Sequence, residues 1–308
     1  MLLSLTRTRA AWLALGASLG LASAALSMPQ MFQDAPKDEA PAKADDAKPG
    51  VSADLPKAKK VIEDAIDAMG GRDAFKSVKS MMFKINITSP AGAAAMEGFT
   101  AQGGKFLLKQ EMGGMMMRTG SNGKIGWMHH PMAGYDLMDE EDLPDMQRQA
   151  EMHSILLRLD EEFETMETVG RADFGGKPCY KVRMVPKNDK PKVEDEDEDA
   201  TEPEQFYFFE IESKLLSGVE ATQETPFGSM TSTMRFDEWK KKGDLNLFTR
   251  VRFSQMGMEA ALNFTELELD VVDDAIFELP AEVKKLAEDR KNAEKPGETP
   301  PGAPESRN

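Results

Sequence analysis

The chain has 308 residues, a formal net charge of −16 and a single cysteine, Cys179. A surface this acidic repels the phosphate backbone of nucleic acids, which excludes nucleic acid as a partner. One cysteine cannot form an internal disulfide, so the fold must be stable through its apolar core alone.

The first 26 residues have the pattern of a secretory signal peptide. Arg7 and Arg9 precede an uncharged stretch over 10–26, and Ala22-Ser23-Ala24 supplies the small residues of a cleavage site. The sequence therefore predicts an exported, periplasmic protein with residues 1–26 removed. An uncleaved anchor is the alternative, because the apolar stretch lies at the short edge of the range that spans a bilayer.

Composition divides the rest of the chain. Residues 27–53 are rich in Ala, Pro, Lys and Asp without an apolar period, which predicts a disordered tether. The predicted folded domain covers 54–282. Residues 187–204 include an unbroken acidic run, interpreted as a hairpin insertion because a calcium loop needs glycine and non-acidic ligands between its carboxylates. Residues 283–308 are predicted to form a charged, Pro-rich tail.

The folded domain is predicted to open with a helix. Asp54 and Pro56 suit its start, and Gly70-Gly71 suits its end. Its apolar stripe consists of Val61, Ile62, Ala65, Ile66 and Met69. One buried face is therefore expected.

From residue 80 the apolar period changes to two. The alternation begins with Met81, Phe83, Ile85 and Ile87 against Met82, Lys84, Asn86 and Thr88, and Gly-rich turns separate later segments of the same kind. This pattern predicts a mainly β fold with a few helices: a curled antiparallel sheet, or half-open β-barrel, of about 10 or 11 strands.

One further helix is predicted between the strands. It would start at Pro144 and run to about Leu159, with Met146, His153 and Leu157 on its apolar face. A single amphipathic helix among the strands of a curled sheet can bury that face only in the concave side. We interpret this helix as a lid.

Methionine is unusually frequent, with 22 residues. Its unbranched, polarizable side chain lines adaptable apolar surfaces, whereas a stiff β core favours β-branched residues. An apolar ligand cavity is therefore predicted, with ordinary core packing as the alternative. The predicted lining is Met81, Phe83, Phe106, Leu108, Met115, Met117, Trp127, Met230, Met234, Phe236, Leu262 and Phe264, with Met146, Met152 and Leu156 from the lid.

Three motifs, together with the signal peptide, resemble one family. They are Ala68-Met69-Gly70-Gly71, Gly123-Lys124-Ile125-Gly126-Trp127 and Asp274-Ala275-Ile276-Phe277-Glu278-Leu279-Pro280. The chain resembles, over about residues 57–280, the LolA/LolB-like group of bacterial periplasmic outer-membrane lipoprotein-sorting proteins. The resemblance implies a half-open barrel of about eleven strands, with helices plugging an apolar cavity that takes acyl chains. It implies no catalytic residues.

Enzymatic motifs are missing from the sequence. There is no Gly-x-Ser-x-Gly and no phosphate-binding glycine loop, so a non-catalytic protein without a cofactor is expected. The histidines lack the spacing of a zinc site. Met128, His129, His130 and Met132 could supply thioether and imidazole ligands to Cu(I), which makes periplasmic copper binding an alternative function.

The predicted function is an exported, non-catalytic carrier or sensor of a lipid or a lipoprotein acyl chain. A membrane-associated donor or acceptor protein is the expected partner, and a monomer is expected. A ligand-free structural β domain is the second alternative.

Overall fold

The computed structural model describes residues 55–187, 205–225 and 228–293. The predicted signal peptide and tether, nearly all of the acidic insertion and the end of the tail lie outside these residues. The helices are α1 Ala58–Ala68, α2 Arg72–Ser77, α3 Leu143–Ala150, α4 Leu159–Glu162 and α5 Ala281–Ala293, with 3₁₀ segments at Met152–Arg158 and Asp274–Phe277.

The strands form a continuous series of hairpins. They are β1 Ser80–Ser89, β2 Gly92–Ala101, β3 Lys105–Met112, β4 Met115–Asn122, β5 Gly126–His130, β6 Gly134–Leu137, β7 Phe163–Phe174, β8 Lys177–Pro186, β9 Gln205–Glu210, β10 Leu216–Thr225, β11 Gly228–Lys242, β12 Leu245–Gln255 and β13 Met258–Leu269.

All of these strands belong to one 13-stranded sheet, in the order β6-β5-β4-β3-β2-β1-β13-β12-β11-β10-β9-β8-β7. Neighbouring strands of this sheet pair antiparallel, and the first and last strands along the chain, β1 and β13, pair with each other in the middle. Because β6 and β7 form the two edges, the sheet curls without closing. The predicted fold class is confirmed, with more strands than the alternation pattern indicated.

Strand register separates the two faces of the sheet. Leu108, Gly98, Phe83 and Leu267 lie opposite one another on neighbouring strands. Successive side chains of a strand point to opposite faces. The face that carries Phe83 is called the inner face, and the reverse is called the outer face.

Helix α1 packs its predicted stripe on the inner face. Val61, Ile62, Ala65 and Ile66 are buried in the main core cluster. The helix stops at Gly70, whose φ is 118°, and a Cβ there would lie 2.4 Å from the carbonyl oxygen of Asp244. Asn246 N donates to Met69 O at 2.9 Å, which fixes the end of α1 against β12.

The lid is not the single helix that the sequence predicted. α3 ends at Glu151, whose φ and ψ are −95° and 43°, and a 3₁₀ segment follows with a second irregularity at Ser154. Met152, Ile155, Leu156 and Leu159 are buried. Their spacing of three and four residues is that of an apolar helix stripe, which explains why the sequence predicted one continuous helix. Residues 152–162 are called the cover segment.

The outer face is covered at one side by α5. Val283 is fully buried in a cluster with Leu107, Trp127, Leu137 and Phe277. Arg290 Nη1 also donates to Met138 O at 3.2 Å. The packed part of the chain therefore continues through Ala293.

Candidate ligand-binding face

The inner face carries a buried apolar surface that crosses most of the sheet. Of the residues predicted to line the cavity, seven lie in the main core cluster: Phe83, Met234, Phe236, Leu262, Phe264 and, from the cover segment, Met152 and Leu156. Met81 packs at the border of the same cluster. The structure thus brings together predicted residues from β1, β11, β13 and the cover segment.

Three further predicted residues lie in α3 or under it. Phe106 and Met146 belong to a smaller cluster with Met138, Leu143 and Ala150, and Leu108 links that cluster to the main one. Gln147 Nε2 donates to Gly104 O at 3.0 Å, so α3 is held over the β2–β3 turn.

Met115, Met117 and Met230 lie outside these clusters. Register places Met117 opposite Gln110 and Met230 opposite Gln223. Alternation then puts all three on the inner side, near the end of the sheet. Met115 is exposed, and Met117 and Met230 are half-buried.

Trp127 was assigned to the wrong face. Its register partner is Gly120, which lies opposite Leu107, the outer-face neighbour of Phe106 and Leu108. A Cβ on Gly120 would lie 2.7 Å from the Trp127 ring, so this glycine makes room for the indole. The short β5 has too little alternation to reveal its inward face. Trp127 serves the contact with α5 instead of the inner face.

A large aromatic part of the inner face was not predicted from the sequence. Tyr207 and Phe209 of β9 are buried in the main cluster, as are Val182 and Met184 of β8. The run Phe206-Tyr207-Phe208-Phe209 is aromatic at every position, so apolar periodicity could not separate its two faces. The neighbouring Tyr180/Val182/Met184 alternation was the signal that could have located this part.

A groove of about 360 Å³ lies beside the cover segment. Its lining includes Met81, Phe75, Val78, His153 and Leu157. It runs between the cover segment, α2 and the ends of β1 and β2. The apolar surface under the cover segment therefore borders an open groove.

Arg158 holds the cover segment together. Its Nη2 donates to Arg148 O at 3.1 Å, and its Nη1 donates to Ser154 Oγ at 3.0 Å. Glu151 and Glu162 lie 3.4 Å and 3.6 Å from its guanidinium. Burial raises the pKa of both carboxyl groups, and the charge of Arg158 opposes that rise.

Arg72 ties the cover segment to α1. Its Nη1 donates to Leu157 O at 3.3 Å, and its Nη2 donates to Glu63 Oε1 at 2.7 Å. Arg72 therefore links α1 and the cover segment, the two elements that cover the inner face.

His153 is a buried polar residue of the cover segment. Its Nε2 lies 3.0 Å from Phe248 O, and its ring lies between Phe248 and Phe264. Because a carbonyl can only accept, Nε2 carries the proton of a neutral imidazole. Burial lowers the pKa of His153 to about 4, with the Phe248 hydrogen bond as a smaller opposing effect.

The methionines and histidines of the copper alternative lie near the β6 edge. Met128 and Met132 are exposed, His129 packs against Tyr135 at 4.5 Å, and His130 Nδ1 accepts from Met132 N at 3.2 Å. Within the described residues, no three His, Cys, Asp or Glu side chains cluster as a metal site would require. A Met and His copper site stays a prediction.

No helix in the described parts of the chain has the length and apolar character needed to cross a membrane.

Comparison with known proteins gives similarities of fold. No model of a known protein family matches the chain. No curated protein sequence matches it significantly. Solved structures do match, and one is a DUF1329 family protein from Desulfovibrio piger, 14% identical, with a TM-score of 0.48 over 72% of this chain and 97% of that chain.

Two other matching structures carry names close to the resemblance seen in the sequence. A LolA superfamily protein from Nitrosomonas europaea is 11% identical, with a TM-score of 0.46 over 73% of this chain and 99% of that chain. A domain named as an outer-membrane lipoprotein-sorting protein, from Vibrio parahaemolyticus, is 12% identical, with a TM-score of 0.45 over 72% and 97%. The LolA-like resemblance therefore recurs among solved structures, and at these values it assigns no ligand.

Proposed function

We propose that this protein is an exported, non-catalytic carrier or sensor of a lipid or a lipoprotein acyl chain, which it holds on the inner face of its sheet. The main support for the proposal is that, among the described residues, this face is covered by short helical segments and not by a second sheet. An apolar sheet face must be buried against another layer. Here the layer consists of α1 and the irregular cover segment.

A second sheet would bury the inner face permanently, whereas a short irregular segment can move aside. The cover segment is 3₁₀ over Met152–Arg158 and is interrupted at Ser154. Long 3₁₀ stretches have poorer hydrogen-bond geometry than an α-helix and often mark hinges. Displacing this segment would uncover Phe248 and Phe264, whose rings contact His153.

The energetics allow reversible binding. Each methylene group removed from water contributes about 0.8 kcal/mol, so a sixteen-carbon chain gains on the order of 10 kcal/mol gross. Displacing the cover segment and ordering the chain both oppose that gain. A carrier needs a net affinity from which the ligand can still leave.

Native mass spectrometry tests the proposal directly. Protein purified from its host should carry additional mass corresponding to lipid, and delipidated protein should take up a fluorescent sixteen-carbon fatty acid. A clean mass together with no uptake would support the ligand-free structural domain. Binding of anaerobically added Cu(I) tighter than micromolar would support the copper alternative instead.

Two adjacent methionines offer a matched pair of variants. Met117 lies on the inner side and Met116 on the outer side of β4. Met117→Asp places a charge at the inner face, where a hydrocarbon chain would have to desolvate it, so uptake should be lost. Met116→Asp introduces the same charge on the other side and should leave uptake unchanged.

A further inference from the structure

In the described part of the chain, the exposed methionine side chains lie at one end of the sheet. Among the side chains that the structure describes, the large exposed apolar ones are Met115, Met116, Met128, Met132, Met256, Met258 and Val271. Met132 is 86% exposed and Met256 is 76% exposed. All six methionines lie in or beside the β3–β4, β5–β6 and β12–β13 turns.

The topology places these turns side by side. In the sheet order β6-β5-β4-β3-β2-β1-β13-β12, the β5–β6, β3–β4, β1–β2 and β12–β13 turns follow one another along a single end. These four turns, residues 130–134, 112–115, 89–92 and 255–258, are called the Met rim.

The Met rim carries no Asp, Glu, Lys or Arg, although 30% of the whole chain is charged. The turns at the opposite end of the same strands carry Lys105, Lys124, Lys242, Asp244 and Asp270. The two ends of one sheet thus differ in charge as well as in apolar exposure.

We propose that the Met rim is a surface that contacts a lipid bilayer, with its methionine side chains inserted among the upper acyl chains. Because the rim carries no formal charge, inserting it does not require moving an ion out of water. The flexible methionine side chains can adapt to disordered lipid. Methionine is also enriched at protein interfaces, but the residues that dominate binding there are Trp, Tyr and Arg. The Met rim contains none of those three.

The net charge of the chain indicates which kind of bilayer the Met rim would contact. The chain carries a formal net charge of −16. Anionic headgroups would repel it. The inferred partner is therefore a zwitterionic surface, bound through apolar contact. This inference stands without any bound ligand in the inner face.

The test uses a fluorophore that brightens and shifts to the blue in hydrocarbon. It is attached to Met132→Cys and, in a separate protein, to Val271→Cys, since Val271 is 55% exposed at the opposite end. The native Cys179 is fully buried. Because each label reports its own depth, an N-terminal segment that binds the vesicle cannot mimic the result.

With phosphatidylcholine vesicles, we expect a blue shift at position 132 that persists in high salt, and no shift at position 271. Replacing part of the lipid with phosphatidylglycerol should weaken the response at low salt. With the label moved to Met115→Cys, the pair Met132→Asp and Met256→Asp should remove the shift, and Val271→Asp should retain it.

Equal responses at positions 132 and 271 would overturn the inference, and so would silence at position 132. Silence would leave the rim as a surface for a protein. Substitutions in exposed turns rarely disturb folding, and far-ultraviolet circular dichroism of each variant checks this. Fatty-acid uptake in solution is measured separately, so the failure of one proposal does not imply the failure of the other.

Discussion

His153 Nε2 lies 3.0 Å from the carbonyl oxygen of Phe248, and the two rings stack with centroids 4.2 Å apart. This contact fastens the cover segment to β12 through the middle of the apolar core. It also makes the fastening sensitive to protonation, because the neutral imidazole is the form that the site accommodates.

Acid should weaken the fold through His153. Its pKa is about 4 in the folded protein against an ordinary value of 6.5. The unfolded chain therefore binds more protons between these values, so stability falls as the pH falls from about 6.5 to about 4 and then levels off. The full effect is about 3 kcal/mol.

Urea unfolding of wild type and His153→Phe at several pH values measures this effect. The phenylalanine keeps the ring packing and does not titrate. The stability of wild type relative to the variant should decline across that interval, whereas a constant difference would contradict the burial of a neutral imidazole.

Loosening the cover segment should accelerate loading. Arg158→Ala removes hydrogen bonds to Arg148 O and Ser154 Oγ, together with the charge near Glu151 and Glu162. A loss of about 1 kcal/mol would raise the rate of fatty-acid uptake about fivefold if opening is rate-limiting.

The control is Arg252→Ala. That side chain pairs with Asp237 on the outer face, so stopped-flow uptake should be unchanged. Slower uptake in Arg158→Ala would show that Arg158 stabilises the ligand-bound state and does not hold the cover segment closed.

The folded protein should become more stable when Tyr207 loses its hydroxyl group. Its Oη is buried without a hydrogen-bond partner in the described part of the chain. Burial, with a smaller contribution from the charge of Glu162, raises its pKa well above the ordinary value. Leaving such a group unpaired costs about 1–3 kcal/mol.

Tyr207→Phe should therefore raise the free energy of unfolding by about 1 kcal/mol. Tyr135→Phe, at the half-buried β6 edge, should change it by less than about 0.5 kcal/mol. Destabilisation by Tyr207→Phe would reveal a partner for the hydroxyl and refute the prediction.

Disrupting the packing on the outer face should leave fatty-acid uptake unchanged. Val283→Asp puts a carboxylate under α5, which should cost about 2 kcal/mol and detach the helix. The Trp127 indole would then meet water, and its emission should shift to the red in a difference spectrum against Trp127→Phe.

Fatty-acid uptake should survive Val283→Asp, because Trp127 and Val283 share the outer cluster. Lys284→Asp, at an exposed neighbouring position, controls for the added negative charge. Loss of uptake in Val283→Asp with the fold intact would place the ligand on the outer face.

The fold class and much of the inner face could be predicted because apolar and polar residues alternate clearly in β1 and β13. Phe83 and Ile85 flank Lys84 in β1, and Leu262 and Phe264 flank Asn263 in β13, so their common face follows from the period of two. The stripe of α1 followed from its helical spacing in the same way.

Other parts depend on contacts that periodicity does not encode. The aromatic run around Tyr207 hides its alternation, and Trp127 was misplaced because its partner Val283 lies 156 residues later, in α5. The break of the lid after Ala150 was not predicted, because the spacing of Met152, Ile155, Leu156 and Leu159 is that of a continuous amphipathic helix. The rim of exposed methionines needed the strand order before its turns could be seen as neighbours.

Photo-crosslinking with a sixteen-carbon fatty acid that carries a diazirine tests the central claim most directly. After irradiation and proteolysis, we expect modified peptides from β1 and β13 around Phe83 and Phe264, and from the cover segment around Leu156. Labelling concentrated on the outer cluster around Trp127 and Phe277, or no labelling above that of a non-binding acidic protein, would contradict the account.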